Sequence, residues 1–333
     1  MEETGDLKAR PLPVQKRPCR GKPCYSKPMV DFGTTPQEFH RDLLEKTCYL
    51  HKAAQQDHPF TWSGIDALVH QIEPVEPFFQ LFGEGPVPSD AYTQEVAMSG
   101  LRRRRLVKDR FTRLMTGGAT LVINRMEMFS LEARRLCDEV ERFAGYQTTA
   151  NGYITFGGTG TFGKHWDTHD VFAFQLIGKK RWNVFPATFP HPLVGHTNAQ
   201  IPHQCPVTPI LDCTLETGDL LYIPRGWWHQ TTPLDEPSFH LSVGLFVPTL
   251  IDYALWVCSR LLPQTPLARK GLLGPESMHD LAAAMQAAKS AALNPAHVAE
   301  FLKMLTDQRR QAAATETQLF SGLAARAASS APR

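Results

Sequence analysis

Short runs of β-branched and aromatic residues punctuate the middle of the chain: ATLVINRM from Ala119, then NGYITF, DVFAFQLI, KRWNVF, DLLYIPR and FHLSVGLF. Each is bounded by Gly, Pro or Asp, which turn a chain, while branched and ring side chains pack well on a pleated surface. Little helical periodicity separates these runs after Gly152, so the pattern predicts short antiparallel strands in a sandwich or jelly roll, closed by Pro248.

The flanks read differently. Thr35-Pro36 ahead of Phe39, Leu43 and Leu44 predicts a helix start, and Ser63 is a candidate cap for a helix carrying Ile65, Leu68 and Val69. After Pro248 apolar residues return at helical spacing: Leu250, Tyr253, Ala254 and Val257; Leu281, Ala284, Met285 and Ala288; Val298, Phe301, Leu302 and Leu305. Helices are expected over Leu250–Leu262, Gly274–Leu293 and Pro295–Phe320, with apolar stripes that need a surface to cover. Residues 1–30 are rich in Pro, Lys and Arg and lack the aliphatic content to order themselves, which predicts a basic flexible arm.

Composition narrows the class. Apolar residues make up 42% and charged residues 20%, ordinary for a globular protein. A net charge of +2 argues against wholesale nucleic-acid or membrane binding. The run Arg102–Arg105, followed by Lys108, Arg110 and Arg113, could meet an acidic partner, but alternation on a solvent-facing strand or helix explains it more simply. The 7 cysteines are scattered, and Cys19 and Cys24 are the one close pair, so reduced thiols are expected. No apolar run has the length of a membrane span or the form of a secretory signal, and a soluble cytoplasmic protein is the expectation.

The candidate chemistry lies in two blocks, GKHWDTHDVFAFQLIGKKR and GDLLYIPRGWWHQT. On a strand, residues two apart share a face, so His165 and Asp167 can reach one ion with Trp166 turned away. His229, on a strand distant in sequence but adjacent in a jelly roll, can complete the set. Two imidazoles and a carboxylate suit a facial triad on non-haem Fe(II), with open coordination positions, and they also suit zinc. An H-x-D pair means little in a chain with 13 histidines, but combined with the downstream Gly-Asp turn, Pro and His it is specific. His169 and His240 are expected beside the site rather than on the ion, and His191, His196 and His203 in solvent.

With these blocks, Tyr153 to Phe246 resembles the catalytic core of the JmjC oxygenases of the cupin superfamily, most closely their ribosomal-oxygenase branch. The resemblance rests on NGYITF, HWDTHDVFAFQLIGKKRW, GDLLYIPRGWWHQTTP and FHLSVGLF. It implies a double-stranded β-helix with flanking N-terminal helices and a C-terminal helical region. It also implies Fe(II), 2-oxoglutarate and O2 as reactants, with His165, Asp167 and His229 holding the iron. Lys180 falls where the family's basic residue pairs with the distal carboxylate of 2-oxoglutarate. Strand alternation supports that choice, since Lys180, Trp182 and Val184 share one face while Lys179 and Arg181 lie on the other. Asn151 and Thr155 match cofactor-lining positions and Tyr153 a substrate-pocket position. Asp170 and His240 are expected behind the ligands, because a fourth protein ligand would close a position the chemistry needs.

Three parts follow: the arm 1–30, a catalytic domain 31–248 with its core at 119–248, and a helical region 249–333 expected to form a homodimer. About 85 residues follow Pro248, room for the helical dimerisation part of a ribosomal oxygenase but not also for its winged helix. Hydroxylation of a protein or peptide side chain is therefore the leading reading, ahead of a small molecule or biosynthetic peptide. Two other classes stay open. One is a non-catalytic cupin binding through its arginines, and the other is a zinc hydrolase, which would lack an obvious general base and leave Lys180 unexplained.

Overall fold

The computed structural model describes residues 28–55, 59–158 and 160–316. Most of the basic arm, with Cys19 and Cys24, and the end of the last expected helix lie outside the described residues.

Six strands precede the core: β1 Tyr49–His51, β2 Phe79–Phe82, β3 Pro86–Val87, β4 Thr93–Met98, β5 Leu101–Leu106 and β6 Thr120–Ile123. The core follows as β7 Gln147–Phe156, β8 Asp170–Ile177, β9 Lys180–Phe185, β10 Leu211–Leu215, β11 Leu220–Ile223, β12 Trp228–Pro233 and β13 Pro237–Phe246. The larger sheet runs β1-β11-β8-β13-β7-β6-β2-β3, and the smaller runs β10-β9-β12. All pairings are antiparallel. The architecture is the expected jelly roll, built as two facing sheets rather than a closed barrel.

Strand β8 explains the layering. Its odd residues Val171 and Ala173 join Leu221 and Ile223 against Trp182, Val184 and Leu215 of the smaller sheet. Its even residues Phe172, Phe174 and Leu176 face the opposite way into the larger core, with Phe39, Tyr222 and Leu136. A strand covered on both faces loses its polar alternation, which is why DVFAFQLI is almost continuously apolar. The outer layer includes α4 (Leu131–Ala144), whose Ala133, Leu136, Cys137, Val140 and Ala144 are buried.

The helical start at Pro36 is only α1 (Pro36–Glu38), capped reciprocally by Thr35 and Glu38 and continued by a π turn over Phe39–Leu43. Helix α2 (Trp62–Gln71) is capped by Thr61 rather than by the expected Ser63; the Gly64 amide donates to Thr61 Oγ1 at 3.1 Å. The arginine run is β5 of a separate solvent-facing hairpin with β4, where Arg102 pairs with Glu95 and Arg104 with Asp90. A short helix, α3 (Lys108–Thr116), follows it.

Beyond Pro248 the helices are α5 (Leu250–Trp256), extended by a π turn to Leu261, α6 (Met278–Ala292) and α7 (Pro295–Glu316). They share a small core of Trp256, Val257 and Phe301 with Tyr253 against it. Much of their apolar surface stays outside that core: Leu250 is 88% exposed, Leu255 62% and Met285 54%. Among the described residues no helix is long and apolar enough to cross a membrane.

Candidate metal centre

His165, Asp167 and His229 converge, with ligand atoms all within 4.8 Å of one another. The expected strand under His165 and Asp167 is not there. Residues 163–169 form an irregular segment, entered through Gly163 at φ +61°, and touch β12 at one β-bridge, His165 to His229. Each histidine's amide donates to the other's carbonyl, His165 to His229 at 3.1 Å and His229 to His165 at 2.7 Å. This bridge, together with the Gly226 amide donating to the Asp167 carbonyl at 2.9 Å, supplies the order a longer strand would have given. Trp166 still turns away, into a cluster with Phe185, Cys205 and Trp228.

Both imidazoles are oriented alike. His165 Nδ1 lies 3.2 Å from the Gly163 carbonyl and His229 Nδ1 3.2 Å from that of Trp227. A protonated Nδ1 on a carbonyl leaves Nε2 as the free lone pair, which is the ligand atom. His229 Nε2 sits 3.6 Å from Asp167 Oδ2. Burial, with the neighbouring His165, lowers the His229 pKa to about 4 against the pull of Asp167, so the ring stays neutral. Burial works to raise the Asp167 pKa, but His229, His165 and His169 outweigh it and hold the carboxyl below its ordinary value. Two imidazoles and one carboxylate are a donor set for a divalent metal.

The triad opens into a cavity of about 530 Å³ between the two sheets. Two cross-strand pairs form part of its floor, His240 with Tyr153 and Ser242 with Asn151. Asn151, Tyr153, Trp182 and His240 all line it. Asn151 Oδ1 also accepts the Arg125 amide at 3.1 Å, and Tyr153 stacks on the His240 ring at 4.8 Å.

Lys180 opens β9, inward with Trp182 and Val184 and 2% exposed, while Lys179 points out to Glu216 at 2.7 Å. Gly178 sets this register. Its φ is +67°, and a Cβ there would meet the Pro237 carbonyl at 2.2 Å, so the hairpin needs glycine. Burial alone pulls the Lys180 pKa down to about 7. Its ammonium lies 3.1 Å from His240 Nδ1. The Trp182 indole N–H and the Gln175 side-chain oxygen are buried with no hydrogen-bond partner among the described residues.

Three expectations change here. Thr155 is 1% exposed, its hydroxyl shares a 2.8 Å hydrogen bond with Ser238, and it does not line the cavity. His240 bonds Lys180 rather than a triad residue, because its register puts Nδ1 toward the start of β9. Asp170 likewise touches no ligand directly: it accepts from Tyr222 Oη at 2.5 Å and from the Arg225 amide at 2.9 Å, fixing the turn that leads to His229. The Gly-Asp signal is also architectural, since Asp219 accepts from the Glu216 and Ala53 amides at 2.7 and 3.0 Å.

Sequence reasoning gave no role to several lining residues: Arg125, Phe162, Thr231, Ser242 and Phe246. Ser242 and Phe246 follow from extending the β13 alternation beyond His240. Arg125 sits in a turn with no periodic signal. His169 also lines the cavity, stacked on Phe246 at 5.0 Å over Gly244, where a Cβ would meet its ring at 2.6 Å. His191, His196 and His203 are exposed as expected.

Residues 124–253 match the JmjC domain family. Ribosomal oxygenase 1 of Gallus gallus is 34% identical over 131 residues, 39% of this chain and 22% of that protein. The bifunctional lysine-specific demethylase and histidyl-hydroxylase NO66 of Drosophila persimilis is 32% identical over 130 residues, 39% of this chain and 19% of that one. The match thus spans about a fifth of these relatives' length. Among solved structures, Escherichia coli ycfD aligns over 80% of this chain and 70% of its own, at TM-score 0.54 and 18% identity. The same bacterium's YcfD, described as a ribosomal oxygenase in complex with cobalt and 2-oxoglutarate, aligns over 79% and 68% at TM-score 0.52 and 18% identity. At that identity the structural likeness is one of fold. The sequence match adds that residues 124–253, which carry all three candidate ligands, are similar to the JmjC domain, and that the relatives sharing this segment include proteins named as ribosomal oxygenases.

Proposed function

We propose that the protein is an Fe(II)- and 2-oxoglutarate-dependent oxygenase that hydroxylates a side chain of a protein or peptide. The observation that carries this is the donor set of His165, Asp167 and His229 opening on one side into a cavity, with no fourth protein ligand among the described residues. A closed tetrahedral site would serve structure, and an open one serves chemistry.

The residues present fit both groups. His165 Nε2, His229 Nε2 and an Asp167 oxygen would hold the iron. Lys180, with Tyr153 and Asn151 nearby, would receive the 2-oxoglutarate. Lys180 is the better argument: fully buried and bonded to the cavity residue His240, though not itself in the lining, its amine has no anionic partner among the described residues, and a dicarboxylate would supply one. Bound iron and 2-oxoglutarate supply O2 activation and the oxidant for a C–H bond. The chain's own work is to bind the co-substrate, hold that bond near the triad and keep other reductants out.

The relatives' names support a protein substrate: a histidyl-hydroxylase and demethylase in one case, ribosomal oxygenases in others. The exposed faces of α5 and α6, with Leu250, Leu255 and Met285, support a homodimer through residues 249–333, leaving 31–248 as the catalytic domain. The free thiols of Cys48, Cys137, Cys205, Cys213 and Cys258 support a cytoplasmic setting.

The test is succinate formation from 2-oxoglutarate with Fe(II) added to the full chain. Turnover that needs both separates an oxygenase from a binding cupin or a zinc hydrolase, and its absence at saturating iron overturns the reading. Proteins and peptides from a cell lacking the enzyme should then lose a 16-dalton increment at the substrate residue.

A further inference from the structure

The catalytic cavity shares part of its wall with a neighbour. Arg125 and Phe246 line it, and both also line a second cavity of about 400 Å³ between the start of β7 and helix α7. The far wall is α7 itself, through Leu302, Leu305, Thr306 and Arg309.

The carboxylates of this second cavity are already engaged. Glu127 accepts from Arg125 Nε at 2.5 Å and from the Ala150 amide at 2.8 Å. Glu141 accepts from the Thr148 amide at 3.1 Å and pairs with Arg134 at 3.3 Å. Apolar surface remains, and Arg125 and Arg309, each with one N–H already given to Glu127 or Gly145, keep the other donors of their guanidinium forks. Leu302 is 47% exposed, Pro248 and Phe246 stand across from it, and Arg309 reaches the Gly145 carbonyl from α7. Arg125 stands at the junction with φ +55°, a left-handed backbone uncommon for a residue with a side chain. Its amide is tied to Asn151 of the catalytic cavity, so the junction is fixed from the catalytic side.

We propose that this cleft is the subsite for the residues flanking the oxidised one in an extended polypeptide. The substrate runs from the catalytic cavity past Arg125 and Phe246 onto α7. This rests on the oxygenase reading above and names what that site takes. A small molecule would be contained by the first cavity and gain nothing from the second. An extended peptide alternates side chains with carbonyls, and the cleft offers the matching pair: an apolar wall of Leu302, Leu305 and Pro248, and guanidinium donors at Arg125 and Arg309. The C-terminal helices then serve the reaction within their own chain.

The experiment gives the full-length protein, Fe(II) and 2-oxoglutarate a synthetic peptide library randomised at every position. Oxidised peptides are read by mass spectrometry, and succinate formed without peptide is measured separately. The selected peptides are expected to prefer an apolar residue at a fixed offset from the oxidised one. Thr306→Trp, which fills the cleft, is expected to lower the ratio of peptide oxidation to peptide-free succinate about tenfold, equivalent to a tenfold loss of affinity, and to erase that preference. Arg309→Ala, the gentler change, should lower the same ratio without unfolding the protein. It should also weaken binding of a fluorescent selected peptide measured without iron.

Peptide oxidation with unchanged ratio and preference in both variants overturns the subsite. So does succinate formation with no peptide oxidised, which points to a small substrate. Loss of the cleft effect on dilution to monomer assigns the groove to a second copy of the chain instead. No succinate under any condition sinks the oxygenase reading itself.

Discussion

Lys180 Nζ lies 3.1 Å from His240 Nδ1, one residue from each of the two sheets, and the two are the buried basic pair beneath the catalytic cavity. Burial, with the nearby Lys180, holds the His240 pKa well below its ordinary value, so the ring is neutral and accepts from the ammonium. Among the described residues no carboxylate bonds or pairs with either of them. The buried amine is placed in advance of its partner, and its charge is held only weakly until an anion arrives.

Replacing Lys180 by Ala is expected to weaken 2-oxoglutarate binding by about 1.5–3 kcal/mol, the range for a hydrogen bond to a charged group, or roughly ten- to a hundredfold. Lys179→Ala should change it little, because Lys179 faces outward to Glu216. Titration of 2-oxoglutarate into each variant checks this. Equal effects would mean that the β9 register does not decide which lysine serves.

The same lysine sets a pH dependence. Its pKa in the ligand-free protein is about 7, against an unfolded value of about 10.4. Between those values the unfolded chain holds more protons, so this group makes the ligand-free protein more stable as pH rises from about 7 toward 10. Binding of the dicarboxylate restores the charge. One proton is therefore taken up on binding in that window, and affinity falls as pH rises. Calorimetry in buffers of different ionisation enthalpy measures the uptake, and a pH-independent affinity from 7 to 9 would contradict it.

His165→Ala, Asp167→Ala and His229→Ala should each abolish iron-dependent succinate formation, since each removes one of three donors. His169→Ala, which removes a cavity wall but no donor, should retain metal binding. Metal content after dialysis against Fe(II) or an inert stand-in such as Co(II) checks both.

The C-terminal helices supply a test of assembly. Leu255→Glu and Met285→Glu put charges on exposed apolar positions, 62% and 54% accessible, and should shift the protein to monomer without loss of helix. Truncation after Pro248 should give a monomeric, aggregation-prone catalytic domain. Light scattering at micromolar concentration reads both, and a wild-type monomer there would mean that these helices serve only their own chain.

The strand pattern between Ala119 and Phe246 was legible because buried strands draw β-branched and aromatic residues and end at Gly, Pro or Asp. Lys180 was legible through the family resemblance, and strand alternation supported it over Lys179. The segment carrying His165 and Asp167 was not, since its conformation is set by a partner strand far away in sequence and by Gly163, not by its own periodicity. Thr155 shows the limit of alternation. It shares a face with Tyr153, yet Ser238 on the adjoining strand covers it, and pairing of that kind is invisible in one strand's sequence. Arg125 left no trace at all, because a turn residue facing two cavities belongs to neither pattern.

The reciprocal hydrogen bonds between His165 and His229 carry a last consequence. Two donors that are remote along the chain hold each other by their backbones, so neither reaches its place until β12 has docked beside the segment carrying the other. An unfolded or half-folded chain then has no site to offer a metal, and ion capture and completion of the fold become one linked equilibrium. Bound iron would fasten this protein as well as serve its chemistry: its loss should first loosen the contact between β12 and the segment carrying His165.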